Sequence, residues 1–169
     1  MERMLRVLND LEQEGIIKGH ALGGAMALLF YSEPTLTDDV DIFAYLPTKG
    51  HFIDLPRVYE ALQKKGYTLK GEHFIIEGLR VQFLPADGKA LWEEGVKEAT
   101  ARDFQGTQIR VISIEHLVAI MLDTNRPKDR ARIGQLLEAE VEFDQKKLLA
   151  ILTKYKLKER WEKIIGEEE

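Results

Sequence analysis

In the stretch ALGGAMALLFYSEPTLTDDVDIF, residues 21–43, two adjacent glycines precede an apolar run, and two carboxylates separated by one apolar residue follow it. Few local patterns limit a fold more. IIKGHAL reads as a short strand running into Gly23 and Gly24, AMALLFYS as a mostly buried helix, and TDDVDIFAYL as a second strand rich in β-favouring residues. Side chains alternate along a strand, so Asp39 and Asp41 share one face while Val40 and Ile42 point into the core. Two like charges that close are best tolerated with a cation between them, and Mg²⁺ (or Mn²⁺) suits a pair of carboxylates that leaves room for water and phosphate oxygens. A glycine turn before a helix lets backbone N–H groups approach phosphate.

The rest of the chain completes the frame. Met4, Leu5, Leu8, Leu11 and Ile16 recur at helical spacing in a first helix that ends near Gly15. LPRVYEALQKKG has Pro56 near the start of a helix and Gly66 past its end. HFIIEG and LRVQFLP are strands joined at Gly78, GKALWEEGVKEATARD reads as a polar helix, and FQGTQIRVIS as a strand pair around Gly106 and Thr107. After an N-cap at Ser113 only helical patterns remain: SIEHLVAIMLDT, a second helix with Pro127 at its first position, and one or two amphipathic helices to the end. The middle strands lie too close together for helical crossovers, which predicts a mixed sheet. The expected class is therefore α+β: a mixed β-sheet flanked by helices over residues 1–112, with a C-terminal helical region over 113–169 packed on it.

Composition narrows the chemistry. With no cysteine, thiolate metal sites and thiol nucleophiles are excluded. A net charge of -5 argues against extensive non-specific nucleic-acid binding, which needs clustered Lys and Arg. The charged N-terminus MERMLRVLNDLEQEG is neither signal peptide nor membrane span, so no membrane association and a cytoplasmic location are expected. His20, His51, His73 and His116 show no i, i+4 pair, and of these only His20 lies near the glycine turn. NRPKDRAR is either a phosphate contact or a solvated helical face, and Leu148, Leu149, Ile151, Leu152 and Tyr155 are either core or a dimer contact.

Gly23 and Gly24, followed by Thr37, Asp39 and Asp41, resemble the glycine pair and Asp-x-Asp signature of the nucleotidyltransferase superfamily of the polymerase-beta type. The nearest resemblance is to its small bacterial or archaeal AbiEii-like and MenT-like branch. LRVQFLPA looks like the later strand of such proteins, and ISIEHLVAIMLDTNRPKDRARIGQLL is similar to their downstream segment, with Lys128 and Asp129 matching its helix start. The resemblance implies a nucleotidyltransferase-like fold that binds NTP and Mg²⁺ and transfers a nucleoside monophosphate to an unknown acceptor, whether RNA, protein or small molecule. It makes Asp39 and Asp41 catalytic metal ligands, and Gly23, Gly24, Thr37, Lys128 and Asp129 nucleotide-binding residues.

Two positions depart from that pattern. The third carboxylate of active relatives belongs on the strand around Val81–Phe83, where this chain has Gln82, an amide that cannot serve as a base. Met121 stands where relatives often place a lysine. Glu77 or Asp87 would replace the missing carboxylate only if the strand register differs. The alternative expectation is thus a catalytically impaired member that binds nucleotide or a protein partner, as in a toxin–antitoxin pair.

Overall fold

The computed structural model describes residues 1–33, 37 and 39–167. Helix α1 (Glu2–Gln13) buries Met4, Leu5, Leu8 and Leu11 along one stripe. Strand β1 (Gly19–Gly23) runs directly into α2 (Gly24–Leu28), and β2 (Asp39–Tyr45) follows. Helix α2 is shorter than its apolar run suggests, because the bonds from Leu29 to Met26 and from Phe30 to Ala27 tighten its last turn to i→i+3.

A small hairpin, β3 (Thr48–Lys49) with β4 (Phe52–Ile53), precedes α3 (Leu55–Lys64). The Asp54 side chain caps α3 by accepting from the Arg57 amide at 3.3 Å, and Pro56 sits in the first turn. Then come β5 (Thr68–Lys70), β6 (His73–Ile76) and β7 (Leu79–Pro85) as an antiparallel meander. Helix α4 (Ala90–Lys97) stops earlier than its polar pattern suggests. Residues 100–104 instead form β8 (Thr100–Phe104), paired with β9 (Thr107–Val111) about Gly106; cross-strand pairing overrides helix propensity there. Ser113 caps α5 (Ile114–Thr124), and α6 (Pro127–Glu138), α7 (Gln145–Lys154) and α8 (Lys158–Glu167) complete the chain.

Seven strands form one mixed sheet in the order β5-β6-β7-β2-β1-β9-β8. β2 is its centre, antiparallel to β1 and parallel to β7. Buried Val40, Ile42 and Leu22 face the α1 side. The opposite face, carrying Asp41 and Phe43, is roofed by α4 and α5, with Trp92 edge-on to Phe43 at 4.9 Å. This is the expected α+β class. Among the described residues no helix is long and apolar enough to cross a membrane.

One carboxylate fastens the C-terminal helices to this roof. Glu94 on α4 accepts from His116 Nε2 at 3.1 Å, from the Tyr155 hydroxyl at 2.5 Å and from the Lys154 ammonium. His116 is fully buried, and its Nδ1 lies 2.8 Å from Ser113 Oγ, so the N-cap of α5 belongs to the same network. Burial pushes the Glu94 carboxyl up, but the hydrogen bonds from Lys154, Tyr155 and His116 outweigh it and bring it down to about 2. A carboxylate depressed on folding stabilises the native state above its unfolded value of 4.5 and loses that contribution as pH falls toward about 2. Glu94→Ala is therefore expected to cost about 2 kcal/mol in urea unfolding at neutral pH, because it strands a buried imidazole. The deficit should shrink progressively below pH 4.5, and an unchanged midpoint would remove Glu94 from this role.

Candidate functional site

The site starts from backbone register. In β1–β2 Gly23 is opposite Asp41, and in β2–β7 Asp39 is opposite Arg80 and Asp41 opposite Gln82. Cross-strand partners share a face. Gly23, Asp41 and Gln82 therefore form one row across three strands, beside the Asp39–Arg80 pair.

Neither glycine has room for a side chain. Gly24 adopts φ +59°, and a Cβ there would lie 2.1 Å from Asp41 Oδ2. At Gly23 a Cβ would fall 2.3 Å from the Phe43 ring. The glycines thus bring the start of α2 into contact with the carboxylate of Asp41.

The two aspartates differ. Asp39 is half exposed, with Arg80 Nε 3.3 Å from its Oδ1, yet that oxygen is itself buried and accepts no well-aligned hydrogen bond. Burial raises the Asp41 carboxyl above its ordinary range, and Asp39 adds to this; Arg126, Lys128 and Arg132 pull the other way. A buried acceptor without an aligned donor and a second carboxylate on the same face make an oxygen-only ligand set that fits Mg²⁺ or Mn²⁺.

The opposite wall is the α5–α6 junction. Asn125 ends α5 in the left-handed conformation, and Pro127 starts α6. Asp129 is almost completely buried and accepts from Thr124 Oγ1 at 2.8 Å, from Arg126 Nε at 2.6 Å and from Arg126 Nη2 at 3.0 Å. Burial alone would raise the Asp129 carboxyl, but the bonds from Arg126 and Thr124 hold it below its usual range. Between this wall and Asp41 lies a cleft of about 190 Å³, lined by Gly24, Asp41, Gln82, Arg126 and Arg132 on its polar side and by Phe43, Trp92, Ile120 and Met121 on its apolar side.

Of the residues singled out in the sequence, Gly23, Gly24, Asp39 and Asp41 converge. Lys128 stands exposed on the first turn of α6, with its charge acting on Asp41, while Asp129 lies beneath and orients Arg126. Thr37 Oγ1 is 3.3 Å from the backbone nitrogen of Asp39 and braces the start of β2. His20 is on the other face, buried against α1 with Nδ1 2.6 Å from Glu12.

Gln82 occupies the row position expected of a third carboxylate. Glu77 is turned away, bonded to the Tyr67 hydroxyl at 2.8 Å, and Asp87 accepts from the Leu46 amide at 3.0 Å. Arg126 and Arg132 belong to the NRPKDRAR stretch, for which the sequence leaves a phosphate contact and a solvated face both open, whereas Trp92 has no sequence signal, because its place depends on how α4 packs. A second metal-capable group, Glu94, Glu98 and His116, brings its ligand atoms within 4.8 Å of one another, but Glu94 there is already engaged by Lys154 and Tyr155.

No known protein family matches the chain, and no curated protein is significantly similar to it. Solved structures are. An antigenic nucleotidyltransferase-like protein from Paracoccidioides brasiliensis superposes with a TM-score of 0.56 at 14% identity, over 90% of this chain and 87% of that one. The antibiotic-resistance factor ANT(2'')-Ia gives 0.47 at 14% identity over 95% and 86% of the two chains. The same factor in complex with adenylyl-2''-tobramycin gives 0.45 at 12% identity over 98% of each. The chain has a nucleotidyltransferase-like fold.

The close approach of Gly24 to Asp41 is testable without any ligand. Gly24→Ala should destabilise the protein by about 2 kcal/mol or more, combining a left-handed backbone cost with the clash. In an Asp41→Ala background, where the carboxylate is gone, the same change should cost measurably less. Strict additivity of the two changes would contradict the contact.

Proposed function

We propose that this protein binds a nucleoside triphosphate with Mg²⁺ (or Mn²⁺) between the glycine turn and α6, and transfers its nucleoside monophosphate to an acceptor hydroxyl. The observation that carries this reading is the contact between Gly24 and Asp41, which puts phosphate-approachable backbone and a metal-binding carboxylate in one space. A divalent ion held by Asp39 and Asp41 would supply charge neutralisation at the attacked phosphoryl group.

The chain's own groups do the rest. At five residues, α2 is too short to supply much dipole, so the positive charge comes from α6. Asp129 consumes Arg126 Nε and Nη2 and leaves Nη1 unpaired among the described residues, available to a phosphate oxygen. Lys128 and Arg132 add to the field felt at Asp41. Thr37 keeps the start of β2 in place for Asp39. The Phe43–Trp92 wall offers an apolar surface against which a ring or the acceptor can exclude water. The acceptor is RNA, a protein or a small molecule.

Calorimetric titration with ATP, GTP, CTP and UTP in Mg²⁺ tests this. At least one should bind, binding should vanish in Asp39→Ala/Asp41→Ala, and Arg126→Ala should weaken it about tenfold, the loss of one charge-assisted bond. Binding to none, or binding indifferent to the aspartates, would end the reading.

A second reading rests on Gln82: a nucleotide-binding or interaction protein with little catalysis, such as a toxin–antitoxin component. Label transfer from α-³²P nucleotides to tRNA, protein or small alcohols separates the two. Robust incorporation eliminates the second.

A further inference from the structure

Transfer to a hydroxyl needs somewhere for the hydroxyl proton to go, and the row Gly23–Asp41–Gln82 offers no free base. Glu77 and Asp87 are both engaged elsewhere. A carboxylate does reach Gln82 from an unexpected element. In the turn at Gly71 and Glu72 between β5 and β6, Glu72 Oε2 lies 3.5 Å from Gln82 Nε2.

The turn makes this reach possible. Gly71 has φ +63°, which reverses the chain within two residues. β6 then runs back along β7 with Ile75 opposite Arg80, so Ile75 lies on the Asp39 face, and so, two residues away, does His73. Glu72 is exposed and pairs with no cation among the described residues, unlike Asp39, which faces Arg80. Gln82, opposite Asp41 in the β2–β7 register, meets Glu72 through its Nε2, so a carboxylate stands next to the row position that lacks one.

Building on nucleotide binding as proposed above, we propose that Glu72 is the proton acceptor of the transfer, replacing the carboxylate that position 82 lacks. The acceptor hydroxyl lies over Gln82. Its oxygen lone pair forms the new bond to the α-phosphorus, and the bond from that phosphorus to the pyrophosphate oxygen breaks with its electron pair leaving on pyrophosphate. The hydroxyl proton passes to a Glu72 carboxylate oxygen and from there to solvent.

The test measures pyrophosphate release from the bound NTP in Mg²⁺, with glycerol as the hydroxyl donor, alongside calorimetric binding of the same NTP. Glu72→Gln should slow release about 10²-fold, the lower range for loss of a general base, with nucleotide affinity unchanged. Glu72→Gln/Gln82→Glu, which returns a carboxylate to the row, should recover at least tenfold of that loss, a rescue that a merely structural role of Glu72 would not give. Release unchanged in Glu72→Gln, release lost in His73→Asn but not in Glu72→Gln, or nucleotide bound by the wild type with no release at all would each overturn the proposal. Failure of the wild type to bind any NTP is a different result: it removes the cleft reading, and Glu72's role with it.

Discussion

Everything at the cleft depends on how closely β1 approaches β2 where the chain turns into α2. With a side chain at residue 24 the carboxylate of Asp41 would have to leave its position, and with one at residue 23 the Phe43 ring would have to move. Because Phe43 also packs edge-on against Trp92 of α4, the double glycine sets the spacing between the sheet and its roof as well as the geometry of the acidic pair. Two residues lacking a Cβ thus couple the core to the site.

Around that contact the charges divide into two networks with different tasks. Glu94, His116, Tyr155 and Lys154 satisfy one another and close the C-terminal helices onto α4. Their hydrogen bonds are made, which is the signature of structural pinning. At the cleft the balance is left open. Asp39 Oδ1 is buried without an aligned donor, Asp41 is raised by burial and by Asp39, and Arg126 is held by Asp129 with one amino group left over. This open balance of one buried acceptor, a raised carboxyl and a spare guanidinium nitrogen is what supports the proposal that a metal-bound anion is held here.

The sequence made the local half of this legible. Asp39 and Asp41 follow from strand alternation, and Gly23–Gly24 from the turn they permit, since both depend only on neighbours in the chain. Gln82 enters only through the resemblance, which puts a third carboxylate on the strand around Val81–Phe83, and the β2–β7 register sets it opposite Asp41. What depends on packing was harder to see. For Arg126 the sequence leaves a phosphate contact and a solvated helical face both open, and only the packing shows Asp129 buried beneath it. Glu72 has no pattern around it, because β5 is three exposed residues long and shows no alternation of burial. The same shortness hides β3 and β4, and β8 is masked by a helical propensity that its pairing with β9 overrules.

The most direct measurement of the central claim is anomalous diffraction from a crystal grown with Mn²⁺ and an α,β-imido nucleoside triphosphate. The account predicts an anomalous peak between Asp39 and Asp41, with the triphosphate running from it along Gly23–Gly24 toward Arg126. A peak at Glu94, Glu98 and His116 alone, or nucleotide bound away from the glycine turn, would contradict it.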